Sequence, residues 1–195
     1  IKPYSVGYPI QAALGAFFAL HREHGLTVDN VVSVTVNLPE DGVRIVNGRS
    51  MPDVNCQHMI ALALVDGSVT FESTHAYERM SDPELLAVKE RVSLVPSAAL
   101  MDRDAPRSAK VEVVLNDGRT VEHFTPHAYG TRQNPMDTEN VNKKARDLLE
   151  PVLGSTRTEE IIRRVNELEK VADVNELMPS LALTPEEMAS VRYGH

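Results

Sequence analysis

The chain has 195 residues and a formal charge of −8, from 20 Lys and Arg against 28 Asp and Glu. With 42% hydrophobic and 25% charged residues it has the composition of a folded domain, and its acidity, 5% aromatics and lack of a Lys/Arg run exclude a basic stripe or stacking platform for nucleic acid. No apolar stretch is long enough to span a bilayer and no signal segment is recognisable, so a cytoplasmic protein is expected, with no membrane partner; one cysteine, Cys56, excludes an internal disulfide or a Cys-based zinc cluster.

Ile10, Ala13, Leu14, Phe17, Phe18 and Leu20 recur at helical spacing after Pro9 and predict a buried helix over Pro9 to His24, stopped by Gly25. Val31, Val32, Val34, Val36 and Leu38 predict a strand, ended by Pro39 and a turn at Glu40-Asp41-Gly42. Asp53 is the expected N-cap of a helix through Val65, which Asp66-Gly67 terminates. A short extended piece follows at Val69 to Phe71, and Ser81-Asp82-Pro83-Glu84 opens another helix with Ser81 as cap.

Three further strands are expected at Val92 to Val95, Lys110 to Leu115 and Thr120 to Phe124, the last two joined through the hairpin turn Asn116-Asp117-Gly118. Thr125 to Pro135 has neither period and reads as a surface loop. Two amphipathic helices follow, Asp137 to Leu153 and Thr156 to Lys170, the second with Glu159/Arg163 and Glu160/Arg164 at i,i+4 spacing. Met178 to Leu183 is irregular, and Thr184 caps one last short helix. The order predicts an α+β domain over residues 1–183, with a small antiparallel sheet of about four strands covered by helices, C-terminal helices after it, and a tail at 184–195.

No phosphate loop, nucleophile elbow, zinc-protease or EF-hand motif is present, so the usual cofactor classes lose support. His21 and His24 share a helical face, but no carboxylate pattern completes a metal site. Cys56 and His58 are two apart and face different ways on a helix, which favours a buried structural thiol. His123, His127, Tyr129 and Arg132 crowd the end of one strand and the loop after it, where they could receive a carboxylate or shuttle a proton. Lys2 precedes the first buried helix, a rigid base from which a cation can reach an anion.

Four stretches, in this order, resemble the smaller, C-terminal domain of the MmgE/PrpD family, which includes 2-methylcitrate dehydratase, cis-aconitate decarboxylase and iminodisuccinate epimerase. They are Lys2-Pro3-Tyr4 before an Ala-rich helix, Asn55-Cys56-Gln57-His58 leading into Ala61 to Gly67, the strand Val111 to Gly118, and Gly130 with Asn134-Pro135 followed by Lys144. Val165 to Leu181 resembles the family's closing helices. The sequence departs from the family at Gln11, aligned with a histidine of relatives, and at His58, where many relatives carry tyrosine.

The resemblance implies a cofactor-independent lyase or isomerase that moves a proton α to a carboxylate on small di- or tricarboxylic acids. It implies Lys2 as a catalytic, charge-stabilising residue, a substrate half-site of Lys2, Tyr4, His58, His127 and Arg132, and a homodimer. It also implies that most acid and base groups come from a larger helical domain outside these residues, or from a partner chain, so the isolated chain is expected to be inactive. A chain beginning Ile-Lys-Pro-Tyr is expected to be a piece of something longer. The other reading is a stand-alone, non-catalytic dimerisation or interaction module, which predicts these residues scattered rather than gathered in one cleft.

Overall fold

In the computed structural model, which describes residues 1–190, helix α1 (Ile10–His24) buries nine of its fifteen residues, Leu14 and Phe17 completely. It ends where expected: Gly25 takes φ 59° and donates its N–H to the His21 carbonyl. Strand β1 (Val31–Leu38) alternates, with Val34, Val36 and Leu38 buried. The expected turn at Glu40 instead continues into a short helix, α2 (Glu40–Val46), in which Val43 and Val46 turn inward. A single 3-10 turn at Pro52–Val54 then displaces the next helix start from Asp53 to Asn55.

Asn55 caps α3 (Cys56–Asp66), its Oδ1 accepting the His58 N–H at 3.0 Å while its Nδ2 donates to the Arg49 carbonyl at 2.6 Å. The whole residue is buried. Asn55→Ala removes the cap and leaves the Arg49 carbonyl without this donor, and is expected to cost about 1–2 kcal/mol, read as a lower urea midpoint at unchanged slope. Thr70 caps α4 (Phe71–His75) through a capping box with Ser73, where an extended piece was expected. Asp82, one residue after the expected Ser81, caps α5 (Pro83–Lys89).

Strands β2 (Val92–Pro96), β3 (Ala109–Leu115) and β4 (Thr120–Thr125) complete a four-stranded sheet in the order β2-β1-β3-β4. The α+β class and four strands are as expected, but the sheet is mixed rather than antiparallel. β2 runs parallel to β1, with Val34 opposite Val92 and Val36 opposite Leu94, while β1–β3 and β3–β4 are antiparallel. The physical reason is the connection: β1 reaches β2 through α2 to α5, a helical crossover of the kind a parallel neighbour requires, whereas β3 and β4 share only a tight turn. Gly118 makes that turn possible at φ 85°.

One sheet face carries Val34, Val36, Val92, Val111 and Val113, packed against α1 and α3 in the core. His123 lies opposite Val111 and so shares this face. The other face mixes charged side chains with the exposed Phe124 and Val95, and on it Lys110 bridges Glu112 at 2.9 Å and Glu122 at 2.8 Å. These elements form one compact unit, Ile1–Met136.

The residues from Asp137 onward form a second unit. Asp137 caps α6 (Thr138–Leu153) and Gly154 separates it from α7 (Ser155–Asn166), which buries Thr158, Ile161 and Ile162. Glu160 takes both Arg163 and Arg164, while Glu159 turns to Arg146 on α6, so only one of the two expected i,i+4 pairs forms. Two guanidinium partners hold the Glu160 carboxyl down at about 2. Arg157 donates to the carbonyls at the end of α8 (Met178–Leu181), a helix where irregular chain was expected. Thr184 and Glu187 cap α9 (Pro185–Ser190) reciprocally, as expected.

Candidate functional site

Two stretches of irregular chain in the first unit converge on a cleft of about 420 Å³. The first is the segment ahead of α1. Val6 is buried in the core and the Gly7 N–H donates to the Asp53 carbonyl at 2.8 Å, so the segment is fixed to the body of the unit. Gln11, two residues into α1, binds it a second time: its Nε2 donates to the Tyr4 and Val6 carbonyls at 2.9 and 3.1 Å, and its Oε1 accepts the Tyr4 N–H at 3.4 Å.

The second stretch is the loop after β4. Ala128 is buried, the Gly130 N–H donates to the Asn134 carbonyl at 2.7 Å, and the Asn134 Nδ2 donates back to the His127 carbonyl at 3.1 Å. These bonds close the loop on itself. Gly130 sits at φ 85°, and a Cβ there would run into the Ile1 carbonyl oxygen. Only glycine permits this approach, which the Ile1 nitrogen completes by donating to the Gly130 carbonyl at 2.9 Å.

The cleft is lined by Ile1, Lys2, Tyr8 and Gln11 from the first stretch and by residues 128–133 from the second. Lys2 Nζ donates to the Val6 carbonyl at 3.0 Å. Arg132 is exposed on the facing loop, beside Thr131 and Gln133. Among the described residues the lining therefore holds two side-chain cations, two phenols, two amides and a hydroxyl, with no carboxylate and no imidazole. Such a surface offers charge and N–H or O–H donors to an anion, chiefly from Lys2, Arg132, Tyr8 and Gln133, since the Gln11 amide is spent on main chain and the Thr131 hydroxyl oxygen is buried.

Of the five residues expected from the sequence, the cleft brings together Lys2 and Arg132. Tyr4 is not among the lining residues; it is stacked on Phe18 with ring centroids 5.7 Å apart, and burial pushes its phenol up to about 12. His127 contributes its carbonyl to the loop closure and its side chain is half-buried outside the lining. His58 is 2% exposed on α3, away from the cleft, with its Nε2 unpartnered among the described residues. Cys56 is fully buried, and desolvation raises its thiol to about 12, as suits a structural group. Tyr8, Thr131 and Gln133 are cleft residues that sequence reasoning did not single out. Tyr8 and Thr131 sit beside Pro9 and Gly130, the backbone signals that mark where each stretch turns.

The fold and the cleft define an α+β domain in which two converging chain segments bring Lys2 and Arg132 to the lining of one cleft. Residues 4–170 match the family model described as the MmgE/PrpD C-terminal domain, and the chain belongs to that family. No curated protein matches the chain. The matched span includes most of the cleft lining, with Lys2 just before it. Among the described residues no helix is long and apolar enough to cross a membrane.

Proposed function

We propose that this domain is the substrate-holding half of a cofactor-independent lyase or isomerase that acts on small di- or tricarboxylic acids by α-proton abstraction. The observation that carries the reading is the composition of the cleft: Lys2 and Arg132 face one space whose lining, among the described residues, holds neither carboxylate nor imidazole. An α-proton beside a carboxylate is weakly acidic, so a site that removes it must offset the enolate charge with cations and aligned donors. Lys2 and Arg132 are suited to that role, with Tyr8 and Gln133 as neutral donors. The base is proposed to come from the larger helical domain of the family, joined to this one or supplied by a partner chain. Three of the five expected residues, Tyr4, His58 and His127, lie outside the cleft, as a dimerisation module predicts; the meeting of Lys2 and Arg132, which such a module does not require, supports the enzyme reading.

Calorimetric titration of the 195-residue chain with citrate tests the binding half of the proposal. Lys2→Ala and Arg132→Ala are each expected to weaken citrate about tenfold or more, the worth of one charge-assisted hydrogen bond. Affinity that is unchanged in both variants contradicts the assignment. Turnover of 2-methylcitrate, cis-aconitate or iminodisuccinate by this chain above the Lys2→Ala background contradicts the division of labour between the two domains.

A further inference from the structure

We infer that Gln11 is a positioning residue for Lys2, acting through the carbonyl of Val6. The inference rests on the reading of the cleft as an anion site. Gln11 borders the cleft yet is 2% exposed, and a buried amide must place its donors and acceptor or pay their desolvation. All three of its hydrogen bonds go to one short piece of main chain: the Tyr4 N–H, the Tyr4 carbonyl and the Val6 carbonyl. Both Nε2 hydrogens are consumed there. The side chain thus spends its polar capacity on the backbone that carries Lys2 and leaves little for a ligand.

The Val6 carbonyl is the point of transmission. It accepts from Gln11 Nε2 at 3.1 Å and from Lys2 Nζ at 3.0 Å, filling both of its lone pairs. A lysine has a long flexible stem, and without a fixed acceptor its ammonium samples many positions. Here the acceptor is held from below by an amide rooted in the first turns of α1, a buried helix. The ammonium is therefore held at one edge of the cleft before any ligand arrives, which lowers the ordering cost of binding. A side chain of similar size without polar atoms at position 11 keeps the packing and removes the anchor.

The test is a double-mutant cycle on the 195-residue chain, with citrate as the probe and calorimetry as the readout. Gln11→Leu is expected to weaken citrate about fivefold when Lys2 is present and less than twofold in the Lys2→Ala background, because a residue that acts through Lys2 has nothing to act on once Lys2 is gone. Equal losses in the two backgrounds, or no loss in either, overturn the inference. Gln11→Met is run in parallel, so that poor folding of one variant, seen as a lost thermal transition, does not stand in for an answer.

A second readout needs no ligand. Trace acetylation with acetic anhydride, read by mass spectrometry against Lys143 as internal standard, is expected to label Lys2 about threefold faster in Gln11→Met than in the wild type, as the Val6 carbonyl that accepts from the ammonium is no longer held in place and that hydrogen bond is weakened. Unchanged Lys2 labelling overturns the inference, whatever citrate does. Raised labelling in a chain whose wild type binds no citrate means that Gln11 positions Lys2 and that the anion reading of the cleft has failed.

Discussion

His58→Met is expected to flatten the acid side of the stability curve. His58 is 2% exposed, its Nε2 has no partner among the described residues, and burial first, then the charges of Lys89 and Arg79, hold its imidazole down at about 4, with Asp66 opposing them. The unfolded chain takes up the proton near the ordinary value of about 6.5. Above that pH both states carry a neutral ring and His58 has no effect on pH dependence. As pH falls from about 6.5 toward 4, the unfolded state is protonated and the folded state is not, so stability drops by about 3 kcal/mol from this residue alone. Below the folded value both states are protonated and the loss levels off.

Urea unfolding at pH 7.5, 5.5 and 4 measures the effect. Acid titration of carboxylates is common to both proteins and cancels in the comparison. The variant is expected to lose about 2–3 kcal/mol less than the wild type across the window, and at pH 7.5 to be as stable or slightly more so, since methionine buries no orphan nitrogen. Parallel curves would mean that the ring finds a hydrogen-bond partner, or water, when protonated.

Gly130→Ala is expected to open the cleft. Two costs coincide at this position: an alanine at φ 85° is strained by about 1–2 kcal/mol, and its Cβ would overlap the Ile1 carbonyl, which is main chain and has no rotamer with which to move aside. The loop and the Ile1 to Lys2 segment must separate, with loss of the Ile1 nitrogen to Gly130 carbonyl bond. A total destabilisation of about 2–3 kcal/mol is expected by urea unfolding, together with a loss of citrate affinity of about tenfold or more. Gly118→Ala is the control: it also sits at φ 85°, but a Cβ there meets nothing within 4 Å. It should show the strain cost without the loss of affinity.

Elements whose cause is local were legible in the sequence. The spacing of Ile10, Leu14 and Phe17 with Gly25 at the end specifies α1 almost to the residue, and Asn116-Asp117-Gly118 specifies the β3–β4 hairpin. What failed depended on partners distant in sequence. The parallel pairing of β2 with β1 follows from where four intervening helices deliver the chain, which no window around Val92 contains. Helix starts slipped by a residue or two where Asp53, Asn55, Ser81 and Asp82 offered rival caps, because any of these side chains can accept an N–H and packing chooses among them.

The same division runs through the site. Lys2 and Arg132 were legible as cations on irregular chain beside rigid elements, and the fold brings both to one cleft. That His58 points into the core and His127 out of the lining was not legible. Facing depends on helical phase relative to α5 for the first and on the turn that Gly130 makes for the second. Gln11 was noticed as a departure from the family's histidine; its role appears only when its three main-chain partners are known.

The proposed function requires the cleft between residues 1–11 and 128–133 to hold a small polycarboxylate. Titration of the uniformly 15N-labelled chain with citrate, following backbone amide shifts, tests it most directly. Saturating shifts confined to those two stretches, with the amides of α3 around His58 unmoved and the response lost in Lys2→Ala/Arg132→Ala, are the predicted result. Shifts centred elsewhere, or none at millimolar citrate, would contradict the account.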